Sequence, residues 1–184
     1  MKVMFGTAAL LLCIISHSAH GKEAGISERD GSDLIREMNT TQIEIDFATA
    51  PIKSKSDLQR YLRTTPESPL SKLPPKIRDN FVRSLVFTRH GLASYSYLGL
   101  DAVSTTELYA IFSLFGQQRY LSSIPGLKAN NETEKSILFM SAMGGGGGEN
   151  TTDEPPIQNS YCTVDGPDSW CTYEYGSACN AKCK

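Results

Sequence analysis

The stretch PPKIRDNFVRSLVFTRHGLASYSYLGLDAVSTTELYAIFSLFG, residues 74–116, decides the predicted fold, because it holds two amphipathic segments. In the first segment, apolar residues recur at helical spacing: Ile77, Phe81, Val82, Leu85 and Val86. Pro74 and Pro75 precede it, where proline suits a first helical turn, and Gly91 follows as a stop signal. The pattern predicts one helix that ends shortly before Gly91.

The second segment begins with Ser104-Thr105-Thr106-Glu107, a capping-box sequence that satisfies the first free amides of a helix. An apolar stripe follows as Leu108, Ile111, Phe112 and Phe115, and Gly116 supplies the stop. Residues 91–103 between the segments are interpreted as a turn region whose large apolar side chains pack under both helices. The stretch therefore predicts a two-helix core element.

Weaker signals flank this element. Ile43, Ile45 and Phe47 alternate with Glu44, Asp46 and Ala48, which predicts a short strand. Ser54 or Ser56 is expected to cap a helix that carries Leu58, Tyr61 and Leu62. Residues 131–140 favour another helix, with a strand as the alternative. The predicted fold class is mainly α: a small helical domain around the two-helix element, a glycine-rich linker and a short disulfide-stapled C-terminal tail.

The start of the 184-residue chain has the pattern of a secretory signal peptide, residues 1–21. Lys2 gives a basic start, residues 8–15 form an apolar run, and Ala19-His20-Gly21 offers small residues at a cleavage site. The apolar run is far shorter than the roughly 20 residues that span a bilayer. We expect a secreted or periplasmic protein with no transmembrane segment after signal cleavage, beginning with a flexible arm at 22–31.

Charge excludes one class of partner. The chain has 18 Lys and Arg against 20 Asp and Glu, and no basic cluster with interleaved aromatic residues. Nucleic-acid binding needs such a basic surface. We therefore expect no nucleic-acid partner.

Residues 144–148 are an uninterrupted glycine run, which cannot hold regular structure at acceptable entropic cost. With the polar, proline-containing segment after it, the run predicts a flexible linker at 144–160. The linker separates a helical domain, 32–143, from a cysteine-rich tail, 161–184.

Four cysteines remain after signal cleavage, and all lie in the tail: Cys162, Cys171, Cys179 and Cys183. An even number in a short exported segment predicts two disulfides, with three possible pairings. The spacing lacks the Cys-x2-Cys knuckles typical of structural zinc sites. We predict no metal and no cofactor.

Catalytic patterns are missing from the mature sequence. His90 is its only histidine, and there is no Gly-x-Ser-x-Gly nucleophile elbow. Arg89-His90-Gly91 resembles the phosphate-binding start of the histidine phosphatases over three residues, but those enzymes need a second histidine. The glycine run is followed by Glu149 rather than by the Lys-Ser/Thr of a phosphate loop. We predict that the protein is not an enzyme.

Four aromatic residues crowd the tail: Tyr161, Trp170, Tyr173 and Tyr175. They either cover the sulfurs or form an exposed contact surface.

We expect an exported, non-catalytic protein whose helical domain tethers a disulfide-rich binding tail for a protein or cell-surface partner. The alternative is a precursor that releases a bacteriocin-like or toxin-like C-terminal peptide after cleavage near the glycine run. Acids outnumber lysines from Glu149 onward, and this favours the first hypothesis, since membrane-lytic peptides are usually basic.

Overall fold

The computed structural model describes residues 31–144 and 156–183. Its helices are α1 Gly31–Thr49, α2 Lys55–Thr64, α3 Pro75–Ser84, α4 Thr105–Ser113 and α5 Glu132–Gly144. Its strands are β1 Val86–Thr88, β2 Gly91–Ser96, β3 Ile157–Asp165 and β4 Asp168–Cys179. Short 3-10 turns occur at Pro69–Lys72, Leu100–Ala102, Gln118–Ser123 and Ala181–Cys183. The predicted signal peptide, most of the N-terminal arm, and linker residues 145–155 lie outside the described residues.

The strands form one antiparallel sheet in the order β1-β2-β4-β3. β4 pairs with β2 from Ser94↔Cys179 to Ser96↔Ser177, so the cysteine-rich segment supplies an inner strand. The predicted mainly α fold class is therefore wrong: helices accompany a four-stranded sheet built from both sides of the glycine run. Residues 157–160, which belong to the predicted linker, lie in β3.

The long helix predicted up to Gly91 is also wrong. α3 ends at Ser84, whose hydroxyl accepts a hydrogen bond of 2.7 Å from the backbone N–H of Ser96, the last residue of β2. The chain then turns back at Gly91, where φ is +111°, a conformation that suits glycine. The turn region predicted at residues 91–103 contains β2, whose six residues are all buried. A strand covered on both faces lacks the alternating pattern that identifies a half-exposed strand.

The strand predicted at residues 43–47 is helical, within α1. Ile43 and Phe47 are spaced by four residues and lie on one side of that helix, where Ile43 is buried and Phe47 half-buried. Ile45, which the period-two interpretation grouped with them, is 47% exposed. The apparent alternation arises because one apolar residue lies on the solvent side of the helix.

The predicted helix caps at Ser54 and Ser104 are present, and so is an aromatic core within residues 74–116. Ser104 Oγ accepts from Glu107 N at 3.2 Å, and Ser54 Oγ accepts from Asp57 N at 3.2 Å. In the core, the Phe112 ring centroid lies 5.0 Å from that of Tyr95 and 5.9 Å from that of Phe81. These contacts join α4, β2 and α3 in one apolar cluster, to which Ala178 of β4 also belongs.

Asn180 anchors the end of the chain to this core. Its side chain is 4% exposed, and Nδ2 donates to Leu92 O at 2.9 Å and to Gln117 Oε1 at 3.2 Å. Next to it, Lys182 Nζ lies 3.5 Å from the centroid of the Phe47 ring, a cation–π contact. Burial lowers the pKa of Lys182, because desolvation disfavours its charged form. The C-terminal segment therefore contacts α1, β2 and the turn after α4.

Candidate binding surface on the disulfide-linked hairpin

The β3–β4 hairpin bends back on itself. Its ladder runs from Asp165↔Asp168 to Ser160↔Tyr173 and resumes only at Gln158↔Ala178, so residues 174–177 have no partner in β3. Asn159, at φ +52°, lies opposite them, and its Oδ1 accepts from Gly176 N at 3.1 Å and from the Tyr97 hydroxyl at 2.7 Å. An unmatched segment bends a strand and increases its twist. We call residues 160–173 the distal hairpin.

Two disulfides hold the bend, and the prediction that the tail cysteines form disulfide bonds is confirmed. The structure selects the pairing Cys162–Cys183 and Cys171–Cys179. Cys171 and Cys179 lie in the same strand with a sequence separation of 8, yet their Cα atoms are 5.9 Å apart. An extended strand of that length spans about 26 Å. The distal hairpin is therefore folded back toward the base of β4.

The sulfurs form a small core of their own. Ala93 packs with Cys162, Cys179 and Cys183, which are all buried, while Cys171 is partly buried beside them. The two disulfides indicate an oxidising, extracellular-type environment. While the sulfurs are bonded to one another, they offer no thiolate to a metal ion.

The predicted contact residues are mostly exposed. Tyr173 is 81% exposed, Tyr175 71% and Trp170 44%, whereas Tyr161 is half-buried. Burial raises the pKa of Tyr161, and the nearby Glu174 carboxylate raises it further. Tyr173 and Tyr175 therefore leave most of their aromatic surface in solvent, whereas Trp170 and Tyr161 are more than half covered.

The aromatic residues do not form one continuous patch. Trp170 is paired with Thr163, and Tyr161 with Thr172. Because side chains alternate across a strand, Tyr161 and Trp170 lie on one face of the distal hairpin, and Tyr173 lies on the other. Tyr175 follows Tyr173 in the unmatched segment. We call Tyr173 and Tyr175 the tyrosine pair.

The hairpin is acidic and rich in hydroxyl groups. Asp165, Asp168 and Glu174 lie between residues 157 and 179, a range without lysine or arginine. On the Trp170 face, the Thr163 and Thr172 hydroxyls are 2.6 Å apart. The arrangement offers aromatic area, hydrogen-bonding hydroxyls and negative charge on a cross-linked support.

The tip of the distal hairpin borders a cleft of about 380 Å³. Arg89 and His90, from the turn between β1 and β2, line it opposite Val164 and Asp168. Arg89 Nε donates to His90 Nε2 at 2.9 Å. This cleft could not be predicted from local sequence patterns, because it depends on how the hairpin folds back toward residues far away in the chain. Arg89 and His90 were expected at the end of a helix.

Among the described residues, no helix has both the length and the apolar character needed to cross a membrane. A scan against protein families, a search of curated proteins and a search of solved structures each returned no match.

Proposed function

We propose that the protein is an exported, non-catalytic binding protein whose β3–β4 hairpin contacts a protein partner outside the cell. The observation that carries the proposal is the tyrosine pair. Tyr173 and Tyr175 are 81% and 71% exposed on a hairpin that two disulfides tie to the sheet. Exposed aromatic residues on a fixed support are typical of protein interfaces.

Preorganisation supports a binding role. Tyrosine and tryptophan supply large contact area with few rotatable bonds, and neighbouring Ser, Thr and Gly residues supply adaptable hydrogen bonds. The disulfides restrict the hairpin backbone before any partner arrives, so less conformational entropy is lost on binding. The hairpin has this composition, with hydroxyls at Ser160, Thr163, Ser169 and Thr172.

Charge indicates the chemistry of the partner. With Asp165, Asp168 and Glu174 on the hairpin and no cation between residues 157 and 179, a basic protein surface is electrostatically complementary. A lysine or arginine of the partner also finds exposed aromatic rings for cation–π contact. We therefore propose a partner that presents basic residues beside an apolar patch.

The position of β4 favours a role in the intact chain over release of a C-terminal peptide. Release would remove the partner of β2 along Ser94–Ser96 and uncover Ala178 and Cys179, which are buried. Unpaired buried backbone groups are costly. The signal-peptide pattern of residues 1–21, together with the disulfides, supports export as part of the proposal.

Replacement of the tyrosine pair is expected to weaken binding without loss of stability. Labelled, disulfide-intact wild-type protein should bind saturably to immobilised extracellular proteins of its source, whereas Tyr173→Ala/Tyr175→Ala should bind at least about tenfold more weakly, as expected for interface hot spots. Raised salt should weaken wild-type binding, because the proposed contact is partly ionic.

The matched control is Tyr109→Ala, which removes a tyrosine 39% exposed on α4, away from the hairpin. It should bind like the wild type. The wild type and the tyrosine-pair variant should unfold at similar temperatures, since substitutions of such exposed side chains change stability by about 0.5 kcal/mol or less. Equal binding by the three proteins would exclude the tyrosine pair as the contact surface.

A further inference from the structure

The four cysteines lie closer together than two independent disulfides require. The Sγ atoms of Cys162, Cys179 and Cys183 all lie within 4.8 Å of one another, although only the first and last are bonded to each other. Cys179 belongs to the other disulfide, with Cys171. A sulfur of one bridge is thus beside both sulfurs of the second.

The fold also brings Cys162 close to Cys171, and Cys179 close to Cys183, although neither of these two pairs is bonded. Cys162 lies directly opposite Cys171 in the β3–β4 ladder. Opposed Cα atoms in such a ladder are about 4.5–5.5 Å apart, which is within the range that a disulfide spans. Cys179 and Cys183 are drawn together by a tight turn, in which Cys183 N donates to Asn180 O at 3.0 Å.

We propose that the four cysteines form one thiol–disulfide exchange site, which an external thiol converts from Cys162–Cys183/Cys171–Cys179 to Cys162–Cys171/Cys179–Cys183. Cys171 is the point of attack, because it is partly buried whereas the other three are buried. The reactant is a small-molecule or protein thiolate. This reactivity is independent of whether the tyrosine pair binds a partner.

The exchange proceeds in three displacements, each of which forms one S–S bond and breaks one. The external thiolate attacks Cys171 Sγ, forms a mixed disulfide there and expels the Cys179 thiolate. That thiolate attacks Cys183 Sγ, forms Cys179–Cys183 and expels the Cys162 thiolate. Cys162 then attacks the mixed disulfide at Cys171, forms Cys162–Cys171 and releases the external thiolate. No net oxidation or reduction occurs.

The third pairing, Cys162–Cys179/Cys171–Cys183, is not expected in the folded protein. Cys179 also lies within reach of Cys162, but the expelled Cys183 would then have to bond Cys171. Neither the strand ladder nor the tight turn at Asn180 joins those two residues. The structure thus selects two of the three possible pairings.

The exchange changes which parts of the chain the two disulfides join. In the observed pairing, both bonds tie the distal hairpin to the base of β4 or to the turn after it. In the second pairing, Cys162–Cys171 lies within the distal hairpin and Cys179–Cys183 within the base. The distal hairpin then has no covalent tie across the bend at Asn159 and residues 174–177.

Peptide mapping tests the site. The oxidised protein, prepared as residues 22–184 so that Cys13 of the predicted signal peptide is absent, is incubated with a substoichiometric amount of reduced glutathione, alkylated, and digested with chymotrypsin and trypsin. Cleavage after Trp170, Tyr173 or Tyr175, and Lys182 places each cysteine on its own peptide. We expect mass spectrometry to find Cys162–Cys171 and Cys179–Cys183 beside the original pairs. In guanidinium chloride the unfolded chain should show all three pairings.

The second displacement, in which the Cys179 thiolate attacks the Cys162–Cys183 bond, is tested separately. Cys171→Ser leaves Cys179 as a thiol beside that bond. Without any added thiol, alkylation should appear at Cys162 or Cys183 as well as at Cys179. The control Cys171→Ser/Cys179→Ser should keep its single disulfide and take up no alkylating agent. The proposal is overturned if alkylation of Cys171→Ser is confined to Cys179, or if the folded wild type keeps only its original pairs while the unfolded chain scrambles.

Discussion

A chain that ends at Gly144 is expected to lose cooperative folding. β2 would lose its β4 partner, and the core would lose Ala178. Two backbone bonds would also disappear, from Tyr97 N to Gly176 O at 2.8 Å and from Asn180 N to Ala93 O at 2.9 Å. Each buried group left unpaired costs about 1–3 kcal/mol, against a total stability of about 5–15 kcal/mol for a typical domain.

Thermal unfolding followed by far-ultraviolet circular dichroism measures this effect. The control is a full-length chain cut at a protease site inserted between residues 145 and 155, which keeps both parts in the sample. Since both disulfides lie within the C-terminal part, only noncovalent contacts then join the two parts. We expect a cooperative transition in the cut control and none in the truncated chain. A truncated chain that melts like the full chain would show that β4 is dispensable.

The second large effect is expected for Phe112→Ala. Phe112 has no exposed surface, and its ring contacts those of Tyr95 and Phe81 at centroid distances of 5.0 and 5.9 Å. Removing a buried phenylalanine side chain loses its transfer free energy and leaves a cavity, at a cost of about 3–5 kcal/mol. Chemical denaturation should show this loss as a lower midpoint.

Phe139→Ala is the matched control for that substitution. Phe139 is 65% exposed on α5, so the same chemical change removes little buried surface. We expect its free energy of unfolding to stay within about 0.5 kcal/mol of the wild type. Equal losses for the two variants would mean that Phe112 is not at the centre of the core.

Local signals allowed α2 and α4 to be predicted, and long-range pairing explains most of what was missed in the sheet. α4 has its serine cap, its apolar stripe and its glycine stop within one short stretch. β2 has no such signal, since both of its faces are buried and its inner partner lies beyond the glycine run. The prediction for residues 161–184 was a disulfide-stapled tail without strands, because the strands of the distal hairpin are polar and its bend depends on contacts with Tyr97.

For the candidate site, the sequence predicted that the cysteines and aromatic residues of the tail take part, but not how they are arranged. Composition and the predicted export pointed to disulfides, but the choice of pairing requires the bend at Asn159. The aromatic residues were visible in the sequence, whereas their division between two faces follows from the register. Arg89 and His90 join the hairpin tip only because α3 ends early and β1 begins at Val86.

The central claim is that the cysteine-rich segment forms an inner strand of the sheet that also contains β2. Nuclear Overhauser effects on the oxidised, isotope-labelled protein test this pairing directly. We predict backbone contacts between β2 and β4 in the register Ser94↔Cys179, Tyr95↔Ala178 and Ser96↔Ser177, with slow hydrogen exchange at Tyr97 N. Contacts confined to β3 and β4, with relaxation rates showing that this hairpin tumbles independently of the helices, would contradict the account.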